Sequence, residues 1–255
     1  MVGAIAGDII GSRFEVIPTK SYDFDMFSEL NTFTDDTVLT IAIADAILHG
    51  KSYDSNLIYY GNKYPDAGYG GTFIQWLSGV IIGPYNSFGN GAAMRVSPVG
   101  FAFHSREEVL QEAKKTAEMT HNHPEGIKGA QAVALAVYLA KKHVGKDQIK
   151  AEIESEFGYD LNRTIEQIRP DYSFEVSCQK SVPESIIAFL ESSDFKSAIR
   201  NAISLGGDSD TMACIAGAIA QAYYEVIPKW ITDEVYARIP EEFKKTIILF
   251  EEKYF

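Results

Sequence analysis

The chain has 255 residues, 46% of them hydrophobic and 23% charged, a balance that excludes a disordered protein and allows a sizeable buried core. Thirty-five acidic residues against 23 basic ones leave a net charge of −12 and a pI near 4.9. This excludes the broad basic surface that duplex nucleic acid or an anionic membrane requires, but not an anionic small ligand held by backbone amides.

In chain order, the N-terminal MVGAIAGDIIG lacks a basic n-region, so no signal peptide is expected. Gly3, Gly7 and Gly11 recur every four residues and share one helical face, where a second helix can approach and bring Asp8 or Glu15 near another element. Thr37–Leu48 is an Ala- and Leu-rich helix stopped by Gly50. Between Ala67 and Gly100, eight of the 20 glycines collect, which suggests a ligand-facing loop rather than a core element. Arg106–Met119, Gly129–His143 and Lys146–Phe157 follow as helices, the second ending on Lys141, Lys142 and His143 as the macrodipole favours. Tyr172–Val176 is the one strand pattern. Pro183–Glu191, Asp194–Ser204, Thr211–Tyr224 and Glu241–Tyr254 complete roughly ten helices.

No linker or break in composition divides residues 1–255, so one all-α domain, a helix bundle, is expected. The apolar runs around Ala130–Ala140 and Met212–Tyr224 fall short of the roughly 20 residues of a spanning helix. Cys178 and Cys214 are too few for a disulfide framework and read as reduced thiols in a cytoplasmic protein.

Two acidic clusters each open an apolar helix: Thr34-Asp35-Asp36-Thr37 and Asp208-Ser209-Asp210-Thr211. A cap needs one such side chain and each cluster offers several, while crowded carboxylates repel one another unless a cation lies between them. Their oxygens suit Mg²⁺ or Mn²⁺ rather than zinc. On residue chemistry alone, shared metal binding and two decorated caps both stay open.

Ser87-Phe88-Gly89-Asn90-Gly91-Ala92-Ala93-Met94-Arg95 can present amides to a phosphate or form an ordinary turn, and it lacks the Lys-Ser/Thr ending of a P-loop. In Thr120-His121-Asn122-His123-Pro124 the two histidines can bind a metal, though capping a helix or facing solvent is the commoner role, and His121 can instead bond a sugar or phosphate. No Ser-His-Asp or Cys-His nucleophile arrangement can be assembled.

Taken in order, GAIAGDIIGSRFE, FTDDT, GNGAAMR, TH and SLGGDSDT resemble the ADP-ribosylglycohydrolase family, over roughly residues 1–225. Cys178–Phe189 (CQKSVPESIIAF) also looks like that family's. The resemblance implies an all-α orthogonal helix bundle with a dinuclear site at helix N-termini, holding two Mg²⁺ or Mn²⁺ ions. It implies cleavage of the C1″ glycosidic bond of an ADP-ribosylated protein or small molecule, with neither nucleic acid nor membrane as partner. By position, Thr34, Asp35, Asp36, Asp208, Asp210 and Thr211 look like the metal ligands, and Glu15 like the glutamate that contacts the site or gates substrate.

Ser87, Gly89, Asn90 and Gly91 look like the diphosphate loop, with Phe88 placed to stack on adenine. His121 matches a histidine facing the ligand, and Tyr69, Gly70 and Gly71 a wall of the distal ribose. Glu15 or Asp36 is expected to take the proton of an attacking water. Arginine-linked ADP-ribose is the favoured substrate, with O-linked and small-molecule adducts as alternatives. Two rival classes, a metal-dependent phosphoesterase and a non-catalytic ADP-ribose-binding module, are disfavoured by the intact six ligands and Glu15.

Overall fold

Every fourth residue early in the first helix is a glycine, and a second helix lies directly on that face. In the computed structural model, which describes residues 1–255, α1 (Val2–Val16) runs antiparallel to a helix near the other end of the chain, Ser209–Tyr224. Gly3 meets the Gly217 carbonyl, Gly7 the Ala213 backbone, and Gly11 the backbone of Ser209 and Asp210. Only residues without a side chain permit this approach. A Cβ on Gly11 would lie 2.5 Å from the Asp210 Cα and the Ser209 carbonyl oxygen, atoms that cannot rotate away. Gly11→Ala is therefore expected to destabilise the protein by about 3 kcal/mol, read as a lowered midpoint in urea unfolding.

The remaining elements surround this pair. They are α2 (Asp35–His49), α3 (Tyr53–Lys63), α4 (Gly71–Leu77), α5 (Gly91–Met94), α6 (Ser97–Ala102), α7 (Arg106–Glu118) and α8 (Pro124–Lys141). Then come α9 (Lys146–Phe157), α10 (Ile165–Ile168), α11 (Cys178–Leu190), α12 (Phe195–Ile203), α13 (Ser209–Tyr224), α14 (Lys229–Arg238) and α15 (Glu241–Tyr254). The chain is all-helical and its buried apolar side chains form one connected core. No helix is long and apolar enough to cross a membrane.

Local chemistry explains most boundaries, including several that differ from expectation. Thr34 caps α2 by accepting the Asp36 amide (3.3 Å), and Gly50 ends that helix in the left-handed region at φ 63°. Helix α8 starts at Pro124, ahead of the expected Gly129, because proline suits the first helical position and the His123 ring accepts the Glu125 amide (3.1 Å). Helix α11 starts at Cys178 and carries Pro183 inside it.

Tyr172–Val176 forms no strand: the only segment paired beside it is the loop at residues 88–90, and the contact stops at one isolated bridge, Gly89 with Ser177. The glycine-rich stretch is not all loop either, since it contains α4, α5 and α6. Gly100 is a core residue, its Cβ position 2.6 Å from the Ala134 carbonyl oxygen and from Val137.

Candidate functional site

Asp8, Gly11 and Glu15 are spaced i, i+3, i+7 along α1, so the face that docks on α13 also carries two carboxylates toward the α13 N-terminus. Helix α2 enters the same place by its own N-terminus. Asp8, with no solvent exposure, is the joint. Its Oδ2 accepts the amides of Thr34 (2.9 Å) and Thr37 (3.0 Å) and the Thr37 hydroxyl, and its Oδ1 accepts the Thr34 hydroxyl (2.7 Å).

Carboxylate oxygens of Asp8, Asp36 and Asp210 lie within 4.8 Å of one another, as do those of Glu15, Asp208 and Asp210. Asp210 belongs to both groups. The Thr211 hydroxyl donates to Asp36 Oδ2 (3.2 Å), while Asp36 Oδ1 is buried with no hydrogen-bond partner. Asp35 stands at the edge of the cluster, its amide donating to the Ala67 carbonyl (2.7 Å).

Capping explains little of this. At α2 only Thr34 caps, and at α13 the Asp208 side chain makes no cap bond but accepts from Asn90 Nδ2 (2.7 Å). No ion pair involves any of the six carboxylates. Burial, aided by mutual repulsion, pushes their proton affinities up. Burial raises Asp8 to about 6, against the four hydrogen bonds that lower it. Burial, then the charges of Asp8 and Asp208, raises Asp35 to about 8. Asp36 and Asp210 sit well above the usual carboxylate range for the same reasons, and Asp208 and Glu15 are raised.

Six crowded carboxylates with all-oxygen donors and a buried unpartnered oxygen fit hard divalent cations. Neither three-carboxylate group includes a histidine or thiolate. Nearby Cys214 is packed, its buried thiol donating to the Met94 carbonyl (3.4 Å).

A cavity of about 420 Å³ opens beside Asp35. Gly70, Gly71 and Phe73 form one wall, and Ser87, Gly89, Gly91 and His121 another. Ser87 Oγ accepts the Gly89 amide (3.1 Å), and the Val176 carbonyl accepts the Asn90 amide (2.8 Å). The amides of Phe88, Gly91 and Ala92 have no partner in the chain. Cys178 ties this loop down: its amide donates to the Phe88 carbonyl (2.9 Å) and its thiol to the Gly89 carbonyl (3.0 Å).

The structure thus brings Thr34, Asp35, Asp36, Asp208, Asp210, Thr211 and Glu15 to one place, with Ser87, Gly89, Gly91, Gly71 and His121 around the adjoining cavity. Asn90 points away from that cavity to Asp208. Phe88 stands at the rim, half exposed, its ring 5.4 Å from His123. Tyr69 lies buried behind the wall, 5.4 Å from Phe73 and near Asp35, its hydroxyl without a partner. The two histidines separate: His123 caps α8 while His121, 6% exposed, lines the cavity.

Sequence reasoning gave Asp8 no defined role and left Arg95 inside a longer motif. Arg95 has no solvent exposure and lines the cavity from beneath. The signal for Asp8 was an acid embedded in an otherwise apolar, glycine-rich helical face, where a carboxylate needs partners.

Comparison with known proteins identifies the family. The profile of the family described as ADP-ribosylglycohydrolase matches residues 1–252. The chain is similar to an "ADP-ribosylhydrolase ARH3" of Danio rerio, 28% identical over 302 residues, covering 89% of this chain and 82% of that protein. It is similar to the protein of that name in Homo sapiens, 27% identical over 304 residues, covering 88% and 84%. An "ADP-ribosylarginine hydrolase Tri1" of Pseudomonas putida (strain GB-1) is 24% identical over 270 residues, covering 91% and 72%. Among solved structures, an "ADP-ribosylglycohydrolase-related protein complex" superposes with a TM-score of 0.77 at 22% identity, covering 100% of this chain and 96% of that one, which shows a shared fold. The chain belongs to the ADP-ribosylglycohydrolase family, hydrolases of ADP-ribose glycosidic bonds.

Proposed function

We propose that this protein hydrolyses the C1″ bond of mono-ADP-ribosylated protein, arginine-linked in the first instance, releasing ADP-ribose with the help of two Mg²⁺ or Mn²⁺ ions. The observation that carries this reading is the crowding of Asp210 with Asp36 on one side and Asp208 on the other beside the cavity, with Asp36 Oδ1 buried and unpartnered. Thr34, Asp35, Asp36, Asp208, Asp210 and Thr211 would hold the ions. Asp8, its oxygens already accepting from α2, anchors that helix instead. When bound, such ions supply Lewis acidity and orient substrate hydroxyls.

The chain's own residues do the rest. Ser87 Oγ–H and the free amide of Gly91, both from cavity-lining residues, are the donors for a diphosphate, while the amides of Gly89 and Asn90 are engaged inside the loop. Phe88, with an open face at the rim, takes the adenine. Carboxylates around the reacting carbon stabilise the positive charge that builds as the leaving group departs. Of the two proton acceptors considered, Asp36 is 1% exposed and enclosed by Thr34 and Thr211. Glu15 is solvent-accessible, and its raised proton affinity, due to burial and the Asp208 and Asp8 charges, suits it to take a proton from water and return it to the leaving group. Support for an arginine linkage comes from the name of the Pseudomonas relative, an "ADP-ribosylarginine hydrolase Tri1".

The test incubates the protein with arginine-linked and serine-linked ADP-ribosyl peptides, with Mg²⁺, Mn²⁺ or EDTA, and identifies products by mass. Metal-dependent release of intact ADP-ribose from the arginine peptide is expected. Release from the serine peptide alone would replace the linkage, AMP would mean a phosphoesterase, and binding without turnover a binding module. Glu15→Gln is expected to slow release about 100-fold or more; full turnover in that variant would remove Glu15 from its role.

A further inference from the structure

Asp208 is 6% exposed and does not cap α13. The neutral donor on its side chain comes from a distant part of the chain, Asn90, whose Nδ2 stands 2.7 Å from Asp208 Oδ2. An ionised carboxylate only accepts, so the amide turns its nitrogen to Asp208. The amide also brings no charge, where a lysine or arginine in its place would repel an incoming cation.

Asn90 is itself fixed. It is buried, its amide donates to the Val176 carbonyl (2.8 Å), and its carbonyl accepts the amides of Ala93 (2.8 Å) and Met94 (2.9 Å) at the start of α5. The loop before it is tied to Cys178 through the Phe88 and Gly89 carbonyls. With the backbone held on both sides, the donor stays where Asp208 meets it. The same segment touches the cluster once more, where the Thr211 hydroxyl donates to Met94 Sδ (3.8 Å). The loop thus has two faces: Ser87, Gly89 and Gly91 line the cavity, and Asn90 turns inward to the carboxylates.

Neither capping nor tethering accounts for this bond. The Asn90 side chain makes no cap bond to α5. As a tether the bond is poorly placed, because it keeps Asp208 within 4.8 Å of the Glu15 and Asp210 carboxylates, which repel it unless a cation lies between.

We propose that Asn90 is a positioning residue for the cation site, holding the Asp208 carboxylate in the orientation that a divalent ion takes up. This rests on the reading that the clustered carboxylates hold Mg²⁺ or Mn²⁺. A carboxylate offers about four acceptor positions, so one amide orients it and leaves the others to the ion.

The test measures Mn²⁺ binding to the substrate-free protein, from the free-ion signal in electron paramagnetic resonance. Asn90→Ala is expected to weaken binding about tenfold. In an Asp208→Ala background the same substitution is expected to change it less than about twofold, because the group it acts through is gone. Equal losses in the two backgrounds would show that Asn90 acts through the loop or the fold, and would overturn the proposal. Mn²⁺ affinity unchanged by Asn90→Ala would overturn it as well. Should Asn90→Ala fail to fold, Asn90→Ser, whose hydroxyl stops one bond short of the amide nitrogen, carries the same prediction. A wild type that binds no Mn²⁺ brings down the functional reading and this proposal together. A wild type that binds Mn²⁺ beside an indifferent Asn90→Ala strikes the proposal alone.

Discussion

Asp210→Asn is expected to reduce turnover at least ~10³-fold, about 4 kcal/mol of transition-state stabilisation, while leaving the metal-free protein no less stable than wild type at pH 8. The two halves of this result come from one fact. Asp210 stands in both three-carboxylate groups, so removing its charge weakens both proposed cation positions together. Without cations the same carboxylate is buried against the charges of Asp208, Asp36 and Glu15, and a neutral amide ends that repulsion. The asparagine oxygen can still accept the Thr211 amide that Asp210 holds at 2.9 Å. Thermal unfolding in EDTA, run beside the ADP-ribose release assay, separates a lost site from a lost fold. Turnover within tenfold of wild type would show that Asp210 is not a shared ligand.

Metal-free protein is also expected to lose stability as pH rises from about 4 to 8, the reverse of ordinary acid denaturation. The carboxyls of Asp8, Asp35, Asp36 and Asp210 bind protons more tightly in the folded chain than in the unfolded one, chiefly through burial. Their stabilising protons are fully present below the unfolded carboxylate range, near 4. They are lost as pH climbs through the folded values, about 6 for Asp8 and about 8 for Asp35. A divalent cation replaces those protons, so it binds folded protein best where they are absent. At a concentration 100 times its Kd the linkage is about 2.7 kcal/mol, or about 5–10 °C in Tm for a chain of this size. We expect that shift with Mg²⁺ or Mn²⁺ at pH 8 and a clearly smaller one at pH 5. Equal shifts at the two pH values would mean that the cation binds elsewhere.

Much of the candidate site is legible before folding because it sits where helices begin. Asp35, Asp36, Asp208 and Asp210 each lie beside the start of a long apolar segment, and that local contrast marks them. Helix α7 likewise announces itself through its period and capping box, α9 through its period and the Gly158 stop, and α15 through its period and the acidic first turn of Glu241 and Glu242. Other parts depend on contacts that local pattern does not encode. Asp8 gains its four bonds only when α1 and α2 cross, and Arg95 follows a four-residue helix with no periodicity to read. The short helices α4, α5, α6 and α10 are held by packing rather than propensity. His121 and His123 look alike in sequence, and only the placement of Pro124 at the first position of α8 makes one a cap and leaves the other to the cavity.

The antiparallel seam of α1 and α13 also sets the order in which this protein can be completed on the ribosome. Asp8 and Glu15 emerge well before Asp210, which follows about 200 residues later, so neither three-carboxylate group exists until most of these residues have been synthesised. Until α13 arrives, the glycine face of α1 has no partner, and the nascent chain relies on elements made in between. Cation uptake by the growing chain would therefore mark the end of folding rather than its beginning. A truncated product lacking α13 would be both metal-blind and exposed to proteolysis along its first helix.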